Sequence, residues 1–347
     1  MKQDPTTMEP APSQAVCPAE GTLKEPAPTP SPSDVSWLHQ YWKAVVSSPI
    51  SLVPLFLLAF VGGVLLWASE LHNFGTSFWG TYWNWIPPGP GSSYGIGYFA
   101  LGSVLTAGLA ILLATILSLA MAISIVVYLP PIASRVLTLF TDLLAGIPSV
   151  VFGIWGFVIL APYFGRTLEP SLRDALFWIP GFGGPEYAIG GGTGILLAVF
   201  VLTIMVIPIT TAVMRESLRA VPHSAVEAGL ALGATRWEVV RRVRMPMARQ
   251  GISGALFLGF GRAIGESVAV AMLIGATPQL PPSLYAGGYT IASYILDQQD
   301  SAFVYPILLQ VLVEFALVLL LITLAVNLVG HWLTRDQRSP GRRGLFS

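Results

Sequence analysis

This sequence predicts an all-α, polytopic membrane protein with six transmembrane helices. Three observations predict it: scarce charge, long charge-free runs, and a one-sided placement of Lys and Arg. Of 347 residues, 54% are hydrophobic and 10% charged, with a mean hydropathy of +0.68; an ordinary soluble domain carries about 25% Asp, Glu, Lys and Arg. The formal net charge is 0, so nothing global points to nucleic acid. One cysteine, Cys17, and four scattered histidines build neither an internal disulfide nor a metal cluster. The apolar runs are continuous rather than alternating, which argues against an outer-membrane barrel.

The elements follow in chain order. Residues 1–35 hold eight prolines and few large apolar side chains, so they read as a disordered cytoplasmic tail with no signal peptide. The membrane domain then covers 36–335, and 336–347 is a short basic tail. A hydrocarbon layer about 30 Å thick takes about 20 helical residues. Spans are therefore expected at about 51–69, 99–129, 137–161, 194–214, 251–275 and 304–330. Between the first two, Trp79, Tyr82, Trp83, Trp85, Tyr94 and Tyr98 read as headgroup-level aromatics, or as a surface for a sugar or a protein. Residues 163–193 read as a wet external loop long enough for a short helix. Lys and Arg fix the orientation. With the two distant tail lysines set aside, 13 flank the inner side and only Arg166 and Arg173 the outer. Both termini are expected inside.

The loop 215–249 breaks the pattern, because two membrane helices need only a short connection. Pro222, His223 and Ser224 look like a helix start with Glu227 in its first turn, Gly233 interrupts, and a second helix runs to Pro246. Spacing leaves two readings open. An amphipathic helix pair rests on anionic headgroups through Arg241, Arg242 and Arg244, or a helix–turn–helix enters a groove on another protein. In the fifth apolar run, Arg262 and Glu266 stand four apart, which puts them on one helical face. They form either a self-neutralising pair or a site where the arginine fork binds an oxyanion and the carboxylate holds it. Asp142 and Glu314 read as structural acids, and Gly146, Pro148, Gly153 and Gly156 as packing or bending positions.

Glu227-Ala228-Gly229, then Gly233-Ala234, then Pro246 resemble the cytoplasmic coupling loop of ABC importer permeases, with Gly229 where alanine is usual. The stretch from Asp142 through Gly146, Pro148, Ser149, Gly153 and Gly156 resembles the phosphate importer permeases PstC and PstA. Gly261-Arg262 with Gly265-Glu266, and the region of Asn327, are similar to the same group, and PstC is the better match. The resemblance covers about 45–335. It implies a type I ABC importer permease fold in a prokaryotic cytoplasmic membrane. It further implies a PstA-like companion permease, a PstB-like ATPase dimer and a PstS-like extracytoplasmic binding protein, with inorganic phosphate as cargo. Arg262 and Glu266 are then substrate-pathway residues, and Glu227 to Pro246 the ATPase-coupling loop. Asp142, Gly146, Pro148, Ser149, Gly153, Gly156 and Gly265 serve packing or the gate. This chain is expected to bind no cofactor and to contact membrane lipids but no nucleic acid. ATP with Mg belongs on the partner ATPase, because no nucleotide-phosphate loop or catalytic set occurs in the sequence. The alternatives are a permease for molybdate, sulfate or a small solute, a secondary transporter or channel, and an intramembrane enzyme.

Overall fold

The computed structural model describes residues 59–63, 85–86, 93–179, 181–183, 191–278 and 281–335. The chain divides into two compact units, Met1–Ala59 and Phe60–Ser347, and the elements below belong to the second. A two-residue antiparallel pair, β1 (Trp85–Ile86) and β2 (Ser93–Tyr94), precedes a helical array. It is the one departure from all-α among the described residues. Helix α1 begins at Gly97 and runs with a terminal π turn through Tyr128. The others are α2 (Pro131–Ala145), α3 (Ser149–Leu176, with two π turns inside it), α4 (Ile195–Arg219) and α5 (His223–Ala231). Then come α6 (Arg236–Val239), α7 (Met245–Ile264), α8 (Val268–Leu273), α9 (Ile291–Val304) and α10 (Pro306–Arg335).

Among the described residues, four helices are long and apolar enough to cross a membrane: α1, α3, α4 and residues 307–330 of α10. These four correspond to the second, third, fourth and sixth of the expected spans. Of 51–69 only 59–63 are described, and both tails lie outside the described residues. The third span is not 137–161 but Ser149–Leu176. Gly146 and Ile147 close a turn onto Leu143 and Leu144, and Pro148, extended at ψ 142°, starts a new helix. Proline suits that place because its missing N–H is one that a helix start leaves unpaired anyway. Arg166, Glu169 and Arg173 consequently sit in α3 rather than in a wet loop. The fifth span is broken, with α7 ending at Ile264 and α8 starting at Val268.

Helix α1 shows why the array needs a membrane. Its buried face is a stripe of small residues, Ser103, Ala107, Ala110, Ala114, Ser118 and Ala122. Its exposed face carries Leu112, Leu113, Ile116 and Leu117. A water-soluble helix buries the leucines. In lipid, the small residues meet the neighbouring helix and leucines face the tails. The stripe lies on α4, where the Ser118 and Thr210 hydroxyls share a 2.6 Å hydrogen bond and Val201, Leu202 and Val206 complete the core. The chain after α8 folds back over this core. Gly288 N–H donates to Ile274 O at 2.9 Å, and Leu196 N–H to Leu284 O at 2.8 Å. A second core, of Phe99, Tyr289, Tyr294 and Phe315, joins α1, α9 and α10.

Candidate functional site

In the segment that follows α4, α5 ends in a Schellman turn. Gly233 N–H donates to Leu230 O at 2.9 Å and Ala234 N–H to Gly229 O at 3.2 Å. Gly233 sits at φ +83°, in the left-handed region that this turn demands and glycine enters freely. Gly229 packs under the following segment, so that a Cβ there would stand 3.2 Å from Val239 Cγ2. This close approach accounts for glycine where the resembling loops carry alanine. Thr235 N-caps α6 in a reciprocal box: its Oγ1 accepts from Glu238 N–H at 3.3 Å, and its own N–H donates to Glu238 Oε2 at 2.8 Å. Those bonds, the backbone one first, hold the Glu238 carboxyl below the usual range.

Two expectations about this loop are overturned. Glu227 is not in the first turn of α5, because the helix starts at His223. It is exposed beside exposed Ala228 and makes no hydrogen bond or ion pair with a described residue. Pro246 does not end a helix either. A π turn, Val240–Arg244, joins α6 to α7, and Pro246 lies at the start of α7. The wider π turn accommodates a ring that has no N–H to give. Leu230, Leu232 and Trp237 are exposed on this tip, Leu232 by 89%.

The loop is strapped to the end of α4. Arg244 Nη1 donates to Leu218 O at 3.2 Å, and Gly251 fits beneath Ser217. Arg215, buried in α4, donates through Nε to Glu216 Oε1 at 3.2 Å and stands 3.8 Å from Asp142 Oδ1. Asp142 thus ties α2 to α4, outside the span in which the sequence placed it. Glu314 is buried in α10 with no hydrogen bond to a described residue.

The α7–α8 break is the second centre. Gly265 caps α7, and Glu266 lies beyond the helix end. It therefore does not share a helical face with Arg262, contrary to the spacing argument. Its Oε1 accepts instead from Ala269 N–H at 3.4 Å, at the start of α8. Arg262 is exposed on this chain, and among the described residues it has no ion pair and no hydrogen-bond partner. Its fork of donors is free for an oxyanion. Beside the break opens a groove of about 540 Å³ lined by Gly265, Ser267, Gln299, Phe303, Leu312 and Ala316. Gly153 and Gly156 of α3 bring that helix against α8. A Cβ on Gly153 would stand 2.7 Å from Met272 Sδ, and one on Gly156 2.9 Å from Leu273 Cδ2. Gly146 and Pro148 are exposed at the α2–α3 turn, with Ser149 half-buried next to them.

The structure thus separates the singled-out residues into a loop centre, a break centre and the packing seam that supports the break. Sequence reading missed Arg215 and Arg244 as straps, for which no local signal exists. It also missed the Thr235–Glu238 box, which its Thr-x-x-Glu pattern signals.

Residues 110–338 match the family described as binding-protein-dependent transport system inner membrane component. The phosphate transport system permease protein PstC of Haemophilus influenzae is 33% identical over 310 residues, 88% of this chain and 96% of that one. The probable PstC of Methanocaldococcus jannaschii is 37% identical over 245 residues, 71% of this chain and 76% of its own. Among solved structures, a bacterial ABC transporter involved in alginate import aligns with TM-score 0.56 at 13% identity, over 88% of this chain and 98% of the other. That likeness bears on the fold alone. Together with the sequence matches, it places the helical array among importer membrane subunits. The chain belongs to the binding-protein-dependent transport system inner membrane component family, on its PstC branch.

Proposed function

We propose that this chain is the PstC-like membrane subunit of an ATP-driven importer that carries inorganic phosphate into the cytoplasm. One observation carries the reading beyond family membership: an unpaired, exposed arginine at a helix break in an apolar stretch. A guanidinium at the bilayer centre costs at least about 2.5–3.5 kcal/mol on the insertion scale. The face holding Arg262 is therefore turned to protein or water rather than lipid. A PstA-like companion covers that face, with the phosphate path between the two. The chain is a permease subunit and no enzyme; a PstB-like ATPase dimer hydrolyses ATP and a PstS-like protein delivers the anion from outside. Glu227, Ala228, Leu232 and Trp237 form the docking tip for the ATPase, supported by their exposure and by the lack of a bond from Glu227 to any described residue. Both termini are cytoplasmic. The test is ATP-dependent uptake of labelled phosphate, with sulfate and molybdate as competitors, by vesicles holding this chain with its companion, ATPase and binding protein. Uptake of sulfate or molybdate in preference to phosphate would sink the assignment.

A further inference from the structure

Helices α7 and α10 run antiparallel in a defined register. Gly330 of α10 seats on Phe257 of α7, and Asn327 lies over Gly261, its Oδ1 3.6 Å from where a Cβ on Gly261 would stand. The next residue after Gly261 is Arg262, so the register puts the Asn327 carboxamide against the turn of α7 that carries Arg262. Asn327 is exposed in an otherwise apolar stretch, AVNLV. It makes no hydrogen bond with a described residue. An amide at membrane depth with nothing to bond is disfavoured against an apolar side chain.

We infer that Asn327 is a second binding residue of the anion site, one that reads the proton on the transported ion. This rests on the reading of Arg262 as a pathway residue. The chemistry of the group is what distinguishes it. Arginine donates only, and so holds any oxyanion alike. A carboxamide both donates and accepts. Near neutrality, phosphate retains a proton that it can donate to the amide oxygen, while its other oxygens accept from the amide N–H₂ and from Arg262. Sulfate and molybdate retain no proton under these conditions, and leave the amide oxygen unpaired against a negative ion. Discrimination of that kind, by a polar group left without its partner, is much stronger than discrimination by size.

The test uses the complete importer in vesicles, with binding protein, ATP and radiolabelled inorganic phosphate, and with subunit ratios measured. Asn327→Leu removes donors and acceptor at similar volume. Asn327→Asp keeps the acceptors and removes the donors. The leucine variant is expected to assemble normally and to lose roughly 10- to 100-fold in phosphate flux, the range for hydrogen bonds to a charged group. The aspartate variant is expected to transport poorly at neutral pH and to recover as pH falls, so that its pH profile shifts to the acid side. A purely structural role moves no pH profile. Wild-type flux in Asn327→Leu, loss of assembly in that variant, or an unshifted profile in Asn327→Asp would each overturn the inference. Arg262→Gln, measured alongside, separates it from its parent. Normal flux there overturns the site and this assignment with it, whereas lost flux there with normal Asn327→Leu overturns this assignment alone.

Discussion

Substitution of Gly233 separates a backbone requirement from a contact requirement in the cytoplasmic loop. The residue sits at φ +83°, and nothing lies within 4 Å of a Cβ built on it, so a new side chain meets no steric conflict inside the chain. The whole intrachain effect is therefore the left-handed backbone, about 1–2 kcal/mol for an ordinary L-residue. Asparagine enters this region more readily than alanine, and a β-branched residue least of all. A difference of 1–2 kcal/mol changes a two-state population roughly 5- to 30-fold. The expected order of ATPase-subunit recovery per permease on co-purification, and of ATP-dependent phosphate uptake, is Gly, Asn, Ala, Val. Asparagine is larger than alanine. If the loop instead needs a small residue because the partner presses on it, alanine outperforms asparagine. That inversion, or full association by Gly233→Val, refutes the requirement for the turn.

The remaining predictions concern charge, topology and pH. Arg262→Gln should assemble and lose roughly tenfold or more in phosphate flux. Because Glu266 bonds Ala269 N–H and not Arg262, adding Glu266→Gln should not restore it; full recovery of uptake in the double variant would return both residues to a structural role. Single cysteines at the exposed positions Ser171 and Asp174, in a background lacking Cys17, should react with an impermeant thiol reagent added outside intact cells. One at Thr235 should not, and labelling there inverts the topology. Glu238 has a folded-state pKa lowered by its bonds to Thr235. The box thus contributes fully above the ordinary carboxylate pKa and is lost as pH falls through the lowered value. Amide-exchange protection at Arg236–Val239 should fall with acidification in that window and be weak at every pH in Glu238→Ala; equal protection in the variant would show that the box is dispensable.

The membrane class and the helices of the second and fourth spans were legible because each rests on local composition; the loop bounds were not, since α4 runs on to Arg219 and α7 begins at Met245. Apolar length marks a helix whatever it packs against, and the Gly233 turn shows in sequence because only glycine enters that φ freely. The third span was misplaced for a local reason too. Pro148 looked like an interior bend in a continuous apolar run, whereas the turn at Gly146 and Ile147 makes it a helix start. The Arg262–Glu266 relation failed more instructively. Spacing of four means one face only while the helix continues, and apolarity cannot announce that α7 stops at Ile264. The region of Asn327 stood out only through the family resemblance, and its place over Gly261 depends on an antiparallel register between segments far apart in sequence. Arg244 and Leu218 are joined by a hydrogen bond across 26 positions, and neither residue type predicts the other.

What the structure adds is a physical connection between the two centres. From Arg236 to Ile264 the backbone stays helical, interrupted in pitch only by the π turn at Val240–Arg244. At 1.5 Å per residue this is a rod about 40 Å long. One end carries the capped, exposed tip, and the other is the break where Arg262 stands and Glu266 meets α8. If the tip docks on the ATPase, displacement there reaches Arg262 through one stiff element, with no loop in between to absorb it. The strap from Arg244 to Leu218 O anchors this rod near its tip end, at the π turn. At the far end Gly261 approaches α10 at Asn327, while Gly259 packs tightly on α1 and α4 against Ile111, Val206 and Thr210. Arg262 thus stands at one end of a continuous helix whose other end is the exposed tip, so a displacement of the tip has one covalent, hydrogen-bonded route to the arginine.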